Sequence, residues 1–178
     1  QVEVLKLLKT NPYLKDISIK TSVEGLYQVS AKQVNPKVRL IDNTGRQCLV
    51  DENEHAFPVS SRYVIDLPLV TGELYIPVNA TGDLNEIVIK NPELKVAAST
   101  LGAIQIATDI SRDSVMSALV EQIDVNAGGN VNLYTKLTGL NIVFGDSADS
   151  KEKLDNLRAF LETAIRTNTL SKYYKINL

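Results

Sequence analysis

Val4, Leu5, Leu7 and Leu8 form one broad apolar face over residues 2–9, which predicts a short opening helix. Asn11-Pro12 ends it, because proline disfavours helix in the residue before it. Ile17 and Ile19 then alternate with polar residues, Glu24-Gly25 supplies a turn, and Tyr27, Val29 and Ala31 resume the alternation. A period of two on both sides of a turn predicts a β-hairpin. Around Val34-Asn35-Pro36 the chain changes character, and short strands are expected at 38–41, 48–50 and 64–70, separated by Asn43-Thr44-Gly45 and the polar stretch 51–55.

Pro77, Asn79 and Gly82 make the stretch after Gly72 a loop, while 84–89 and 101–107 can be read as helix or strand. Ser111 is placed to cap a helix carrying Val115, Met116, Leu119 and Val120. Ile123 and Val125 then switch the period to two, so the helix should lead into a strand. Ala127-Gly128-Gly129-Asn130 is a turn signal; Val131 and Leu133 alternate with Asn132 and Tyr134, and 140–144 is a further apolar run, together a meander. The clearest helix begins at Asp149 or Ser150 with Asp149-x-x-Glu152 as a capping-box-like start, aligns Leu154, Leu157, Leu161, Ala164 and Ile165, and should reach about Thr167. Tyr174, Ile176 and Leu178 alternate with Lys175 and Asn177 in a final strand able to present an open edge. The fold class is α+β: a helix and hairpin over 1–34, then, over 35–178, strands of mixed and antiparallel pairing flanked by helices.

Composition narrows the partners. Of 178 residues, 44% are hydrophobic and 22% charged, the globular norm. The net charge of -2, with both signs interspersed, provides no basic field for nucleic acid. No apolar run is long enough for a membrane helix, and no signal peptide opens the chain. Beginning without methionine and directly in a helical stretch, the sequence reads as a segment of something longer. Cys48 stands alone, has no internal disulfide partner, and falls at a strand or core position.

Candidate chemistry is sparse. His55 is the one histidine and sits in the polar connection Asp51-Glu52-Asn53-Glu54-His55, which suits a solvated loop better than a catalytic dyad. The same stretch imitates a calcium loop at Asp51 and Asn53, but Ala56 and Arg62 occupy the positions where that loop needs glycine and an acid. One histidine and one cysteine cannot make a zinc set, and Gly128-Gly129 is neither a phosphate loop nor a dinucleotide fingerprint. No metal or cofactor is expected. Asp83 with Glu86, or Asp146 with Asp149, could form a hydrolase's carboxylate pair, yet without tryptophan or a sugar platform they read as loop and cap carboxylates. An open terminal strand can accept a strand from another chain; the competing reading is that 173–178 is an internal strand covered by residues outside this sequence.

Asn11-Pro12-Tyr13 before the hairpin, then Phe57-Pro58-Val59-Ser60 and Leu67-Pro68-Leu69-Val70-Thr71-Gly72, resemble the FtsQ/DivIB family of bacterial cell-division proteins. So do Ile142-Val143-Phe144-Gly145-Asp146, the helix with Lys153, Leu157 and Phe160, and Lys172-Tyr173-Tyr174-Lys175-Ile176-Asn177-Leu178. The resemblance implies a single-pass inner-membrane protein whose extracytoplasmic part is a POTRA (polypeptide-transport-associated) domain followed by a β domain. Residues 1–34 then match the C-terminal half of the POTRA fold and 35–178 the β domain, with the cytoplasmic tail and membrane helix outside this sequence. A remnant as short as 1–34 lacks enough residues for its own core and is expected to be mobile or held by the β domain. The implied function is a non-catalytic scaffold binding the small division proteins FtsB and FtsL by strand addition near the C-terminal edge. Arg158, Leu170, Tyr173, Lys175 and Asn177 are the implied contacts. The family continues past the strand matching 174–178 with a further strand that carries partner contacts. Two alternatives stand beside this reading: a POTRA-containing translocation or outer-membrane assembly factor, and a cell-wall hydrolase.

Overall fold

A computed structural model describes residues 2–60, 66–78, 80–89, 94–136 and 139–178. The chain divides into two compact units, Gln1–Pro36 and Lys37–Leu178.

In the first unit, helix α1 (Val2–Lys9) is closed by the Thr10 hydroxyl donating to the Leu7 carbonyl at 2.7 Å. Strands β1 (Leu14–Thr21) and β2 (Tyr27–Gln33) pair antiparallel around a turn in which Gly25 takes φ 79°. Asp16, at φ 54°, interrupts the register between Lys15 and Ser18 and pairs with Lys32 across the hairpin at 2.9 Å. None of the described residues 2–35 is buried. Val4, Ile19, Tyr27 and Val29 line an apolar hollow of about 170 Å³.

The remainder runs β3 (Pro36–Asp42), β4 (Gln47–Asp51), β5 (His55–Phe57), β6 (Leu69–Gly72), β7 (Gly82–Asp83), α2 (Leu84–Ile89), α3 (Leu94–Arg112), α4 (Ser114–Leu119), β8 (Val120–Val125), β9 (Val131–Thr135), β10 (Asn141–Gly145), α5 (Ser150–Arg166), a 3-10 turn (Leu170–Lys172) and β11 (Lys175–Asn177). Among the described residues these strands form one nine-stranded sheet in the order β11-β10-β9-β8-β6-β3-β4-β5-β7. The sheet is mixed: β3/β6, β6/β8 and β10/β11 are parallel, whereas β8/β9, β9/β10, β4/β5 and β5/β7 are antiparallel.

Register explains the layering. Reading across paired positions, Leu40, Val70, Ile123, Leu133, Ile142 and Ile176 make one apolar row. All but Ile176 are fully buried, in a core shared with Ile104, Ala107 and Ile110 of α3, Met116 and Leu119 of α4, and Leu154, Leu157 and Leu161 of α5. The next row, Arg39, Leu69, Gln122, Tyr134, Asn141 and Lys175, points to the opposite face, because strand side chains alternate, and is only half-buried to exposed. Helices therefore cover one face of the sheet; on the other, the row from Arg39 to Lys175 stays half-buried to exposed, whereas Leu49 and Phe57 of β4 and β5 are buried.

Several expectations change in the folded chain. The strand expected at 64–70 lies at Leu69–Gly72; residues 64 and 65 lie outside the described set, as does Asn79 of the following loop. Gly82 is in β7 rather than that loop. The stretches 84–89 and 101–107 are both helical, the second within the longer α3. Ser111 does not cap α4: it lies inside α3 and its hydroxyl donates to the Thr108 carbonyl at 2.7 Å. Asp113 is the cap, extended at φ -94° and ψ 124°, its carboxylate accepting from Val115 and Met116 N–H at 2.9 Å each. Asp149 does precede α5, but in left-handed conformation (φ 51°) and with no side-chain capping bond, so the capping box does not form. A carboxylate can cap only from an extended backbone that aims it at the first-turn N–H groups.

Cys48 is fully buried in β4, and burial, then the charge of Asp42, pushes its thiol up to about 12. In the folded chain it is expected to resist a thiol reagent at pH 8 and to react when denaturant is added; rapid native-state labelling would contradict the burial. Above its ordinary 9.0 the unfolded chain releases a proton that the folded chain keeps. Stability from this group is therefore complete below that pH and declines as pH rises towards the folded value.

Candidate protein-binding edge

Strand β11 closes one side of the sheet. Its hold on β10 is parallel, with Lys175, Ile176 and Asn177 opposite Asn141, Ile142 and Val143. The Asn141 N–H donates to the Tyr174 carbonyl at 3.1 Å, and the Leu178 N–H donates to the Val143 carbonyl at 3.0 Å. Successive residues of a strand direct their backbone groups to opposite sides. Tyr174, Ile176 and Leu178 thus face β10, and the N–H and C=O groups of Lys175 and Asn177 face outward, where no strand of the described residues pairs. Their side chains are exposed on the face opposite the helices, while Ile176 turns into the core.

The approach to this edge is anchored by α5. Leu157 and Leu161 fix the helix in the core, and Phe160 beside them packs edge-on against Tyr173, ring centroids 5.0 Å apart at 79°. Tyr173 remains 41% exposed. Leu170, in the 3-10 turn, packs partly buried against the core. Tyr173 and Leu170 lead directly into β11, so the structure groups them with Lys175 and Asn177.

Arg158 is placed elsewhere. It is two positions from Phe160, about 200° around the helix, and bonds Glu162 at 2.9 Å and Asp113 at 2.9 Å. The hydrogen bond to Glu162, then the charge of Asp113, holds its guanidinium above the ordinary value. It lines a separate groove of about 510 Å³ with Ile110, Met116 and Leu154 at the floor. Arg158 is a strut between α5 and the start of α4, on the flank away from Tyr173. Sequence reasoning named Phe160 as a motif residue and missed it as the support of Tyr173; the signal was an aromatic in the closing helix followed by Tyr173-Tyr174.

Two of the acids considered for hydrolysis, Asp83 and Asp146, are held by structural partners. Asp83 accepts from Asn85 N–H at 2.8 Å. Asp146 bonds the Lys153 ammonium at 3.0 Å, and that bond holds its carboxyl below the ordinary range. The same ammonium lies 5.3 Å from the Phe144 ring centre. His55 begins β5 rather than lying in the connection, with Nδ1 3.1 Å from the Asn53 carbonyl. Asp51 accepts from Asn53 and His55 N–H, organising the turn. Among the described residues no group of three His, Cys, Asp or Glu side chains could hold a metal ion. No helix of the described residues is long and apolar enough to cross a membrane.

Residues 35–178 match the family model described as FtsQ/DivIB, C-terminal related. No curated protein matches the chain.

Proposed function

The chain belongs to the FtsQ/DivIB, C-terminal related family, a bacterial cell-division family of membrane-anchored, non-catalytic proteins with an extracytoplasmic domain, and on that premise we propose that it is a division scaffold whose β domain binds other division proteins. The FtsB and FtsL pair is the proposed partner, and the proposed mode is strand addition to β11. The outward backbone of Lys175 and Asn177, which no strand of the described residues pairs, carries this reading: N–H and C=O groups along a sheet edge are a template for another strand. Residues 1–34 are read as half of a POTRA domain; a helix and hairpin with no buried residue support a unit that shares its core with further elements.

Asn177→Pro tests the mode. The Asn177 N–H points away from β10, so proline removes an outward donor and leaves the pairing within the sheet intact. Titrated with an extracytoplasmic FtsB–FtsL pair from the matching organism, the variant is expected to bind about tenfold or more weakly than the parent, with unchanged circular dichroism. Equal affinity would remove β11 from the interface.

A further inference from the structure

We propose that the groove between α3 and α5 is a docking slot for a basic amphipathic helix of a partner protein, with arginine or lysine side chains set between Asp109 and Asp155. The two helices are tied together at both ends of the slot. At one end α3 passes Ser147, shortly before α5, so closely that a Cβ at Gly102 would stand 2.6 Å from its side chain. At the other end Arg158 bonds Asp113 at 2.9 Å. Between these ties the groove opens to about 510 Å³. Lys151 to Arg158 covers about two turns of α5, roughly 10 Å, which matches two turns of an inserted helix. Leu154 lines the base with Ile110 and Met116, all three part of the core. The walls are helices, whose backbone groups bond within themselves, so an extended segment would find no ladder there; a helix needs none.

Charge selects the occupant. Arg158 is shared by Asp113 and Glu162. Arg112 lies 3.7 Å from Asp109 and also donates to the Glu52 carbonyl at 3.2 Å. Asp109 accepts the Gln105 amide at 3.0 Å along its own helix. Asp155 is exposed and makes no hydrogen bond or ion pair among the described residues. The carboxylates of Asp109, Asp113, Asp155 and Glu162 thus outnumber the cations of Arg112, Lys151 and Arg158 around the slot. An arginine entering between Asp109 and Asp155 gains charged acceptors and lays its methylenes on Leu154. An acidic side chain in the same place is repelled by both carboxylates.

The probes are three hydrocarbon-stapled, alanine-rich helices with the same leucine stripe, flanked by arginine, glutamine or glutamate. Titrated into the full chain at low ionic strength and followed by amide NMR, the arginine helix is expected to shift Gln105, Asp109 and Asp155. It should bind about tenfold more tightly than the glutamate helix, with the glutamine helix between them. Asp155→Lys, at an exposed residue, should remove that preference. Gln105→Trp, also at an exposed residue, should fill the slot and weaken the arginine helix, with unchanged circular dichroism. Asn177→Pro should leave the titration as it is, because Arg158 and the slot lie on the flank of α5 away from Tyr173. Shifts confined to β11, equal affinity for the three helices, a preference that survives Asp155→Lys, or binding lost in Asn177→Pro overturns the proposal. An equal response to free arginine would make the slot a small-molecule site, and slot shifts that follow protein concentration alone would assign it to a second copy; either result overturns a helical partner.

Discussion

Replacing Gly72 with alanine is expected to lower the thermal unfolding midpoint by on the order of 10 °C. Gly72 ends β6 at φ 109°, a conformation L side chains rarely adopt, between Asp42 of β3 and Val125 of β8. A Cβ built there runs into the carbonyl oxygen of Val125 and approaches its carbon and nitrogen. These are backbone atoms of a neighbouring strand, and the Val125 carbonyl also accepts from Glu73 N–H at 2.8 Å. No rotamer change relieves the clash; β6 and β8 must separate near the middle of the sheet. Backbone strain and a broken ladder together cost about 3 kcal/mol or more, and a domain of this size loses roughly 2–4 °C per kcal/mol. Gly82→Ala is the control, with φ 113° but nothing within 4 Å of the new Cβ. It should show only the conformational cost, about 1 kcal/mol. Equal losses in the two variants would mean that the β6–β8 approach plays no part.

The second large effect is expected at Phe144. Its side chain is fully buried on the core face of β10, with the Lys153 ammonium 5.3 Å from the ring centre. Phe144→Ala leaves a cavity among packed neighbours and should reduce the unfolding free energy by about 3–5 kcal/mol, read from urea denaturation. Because β10 is the strand on which β11 rests, the amides of Ile176 and Leu178 should exchange faster with solvent in this variant. Phe144→Leu keeps most of the volume and should cost about 1.5 kcal/mol or less. A loss below about 1 kcal/mol on truncation to alanine would show that the site collapses without a cavity.

Much of this architecture was legible in local pattern. The hairpin of β1 and β2, the meander of β8 to β10, helix α5 and the last strand were all expected from period and turn residues. The two outward residues of β11, Lys175 and Asn177, could be picked out from alternation with Ile176. Helix α3 stays open against strand over 101–107 in the sequence, because its small residues Ala97, Ala103 and Ala107 and its apolar Ile104, Ile106 and Ile110 are buried too widely around the axis to give a single stripe. Likewise Ser111 and Asp113 are both capping residues by type, and only the point where α3 stops decides between them.

The sequence by itself determined what each segment can be, since the side-chain period and the backbone limits of glycine and proline act between near neighbours. It determined the faces of β11 and α5 and the family to which the chain belongs. Tertiary structure alone decided that β11 lies at the end of the sheet, beside β10 and beyond α5, and that Arg158 braces α4 on the flank of α5 away from Tyr173. Strand order and helix flank are settled by which distant surfaces bury the apolar row, and that competition involves residues far apart in the chain.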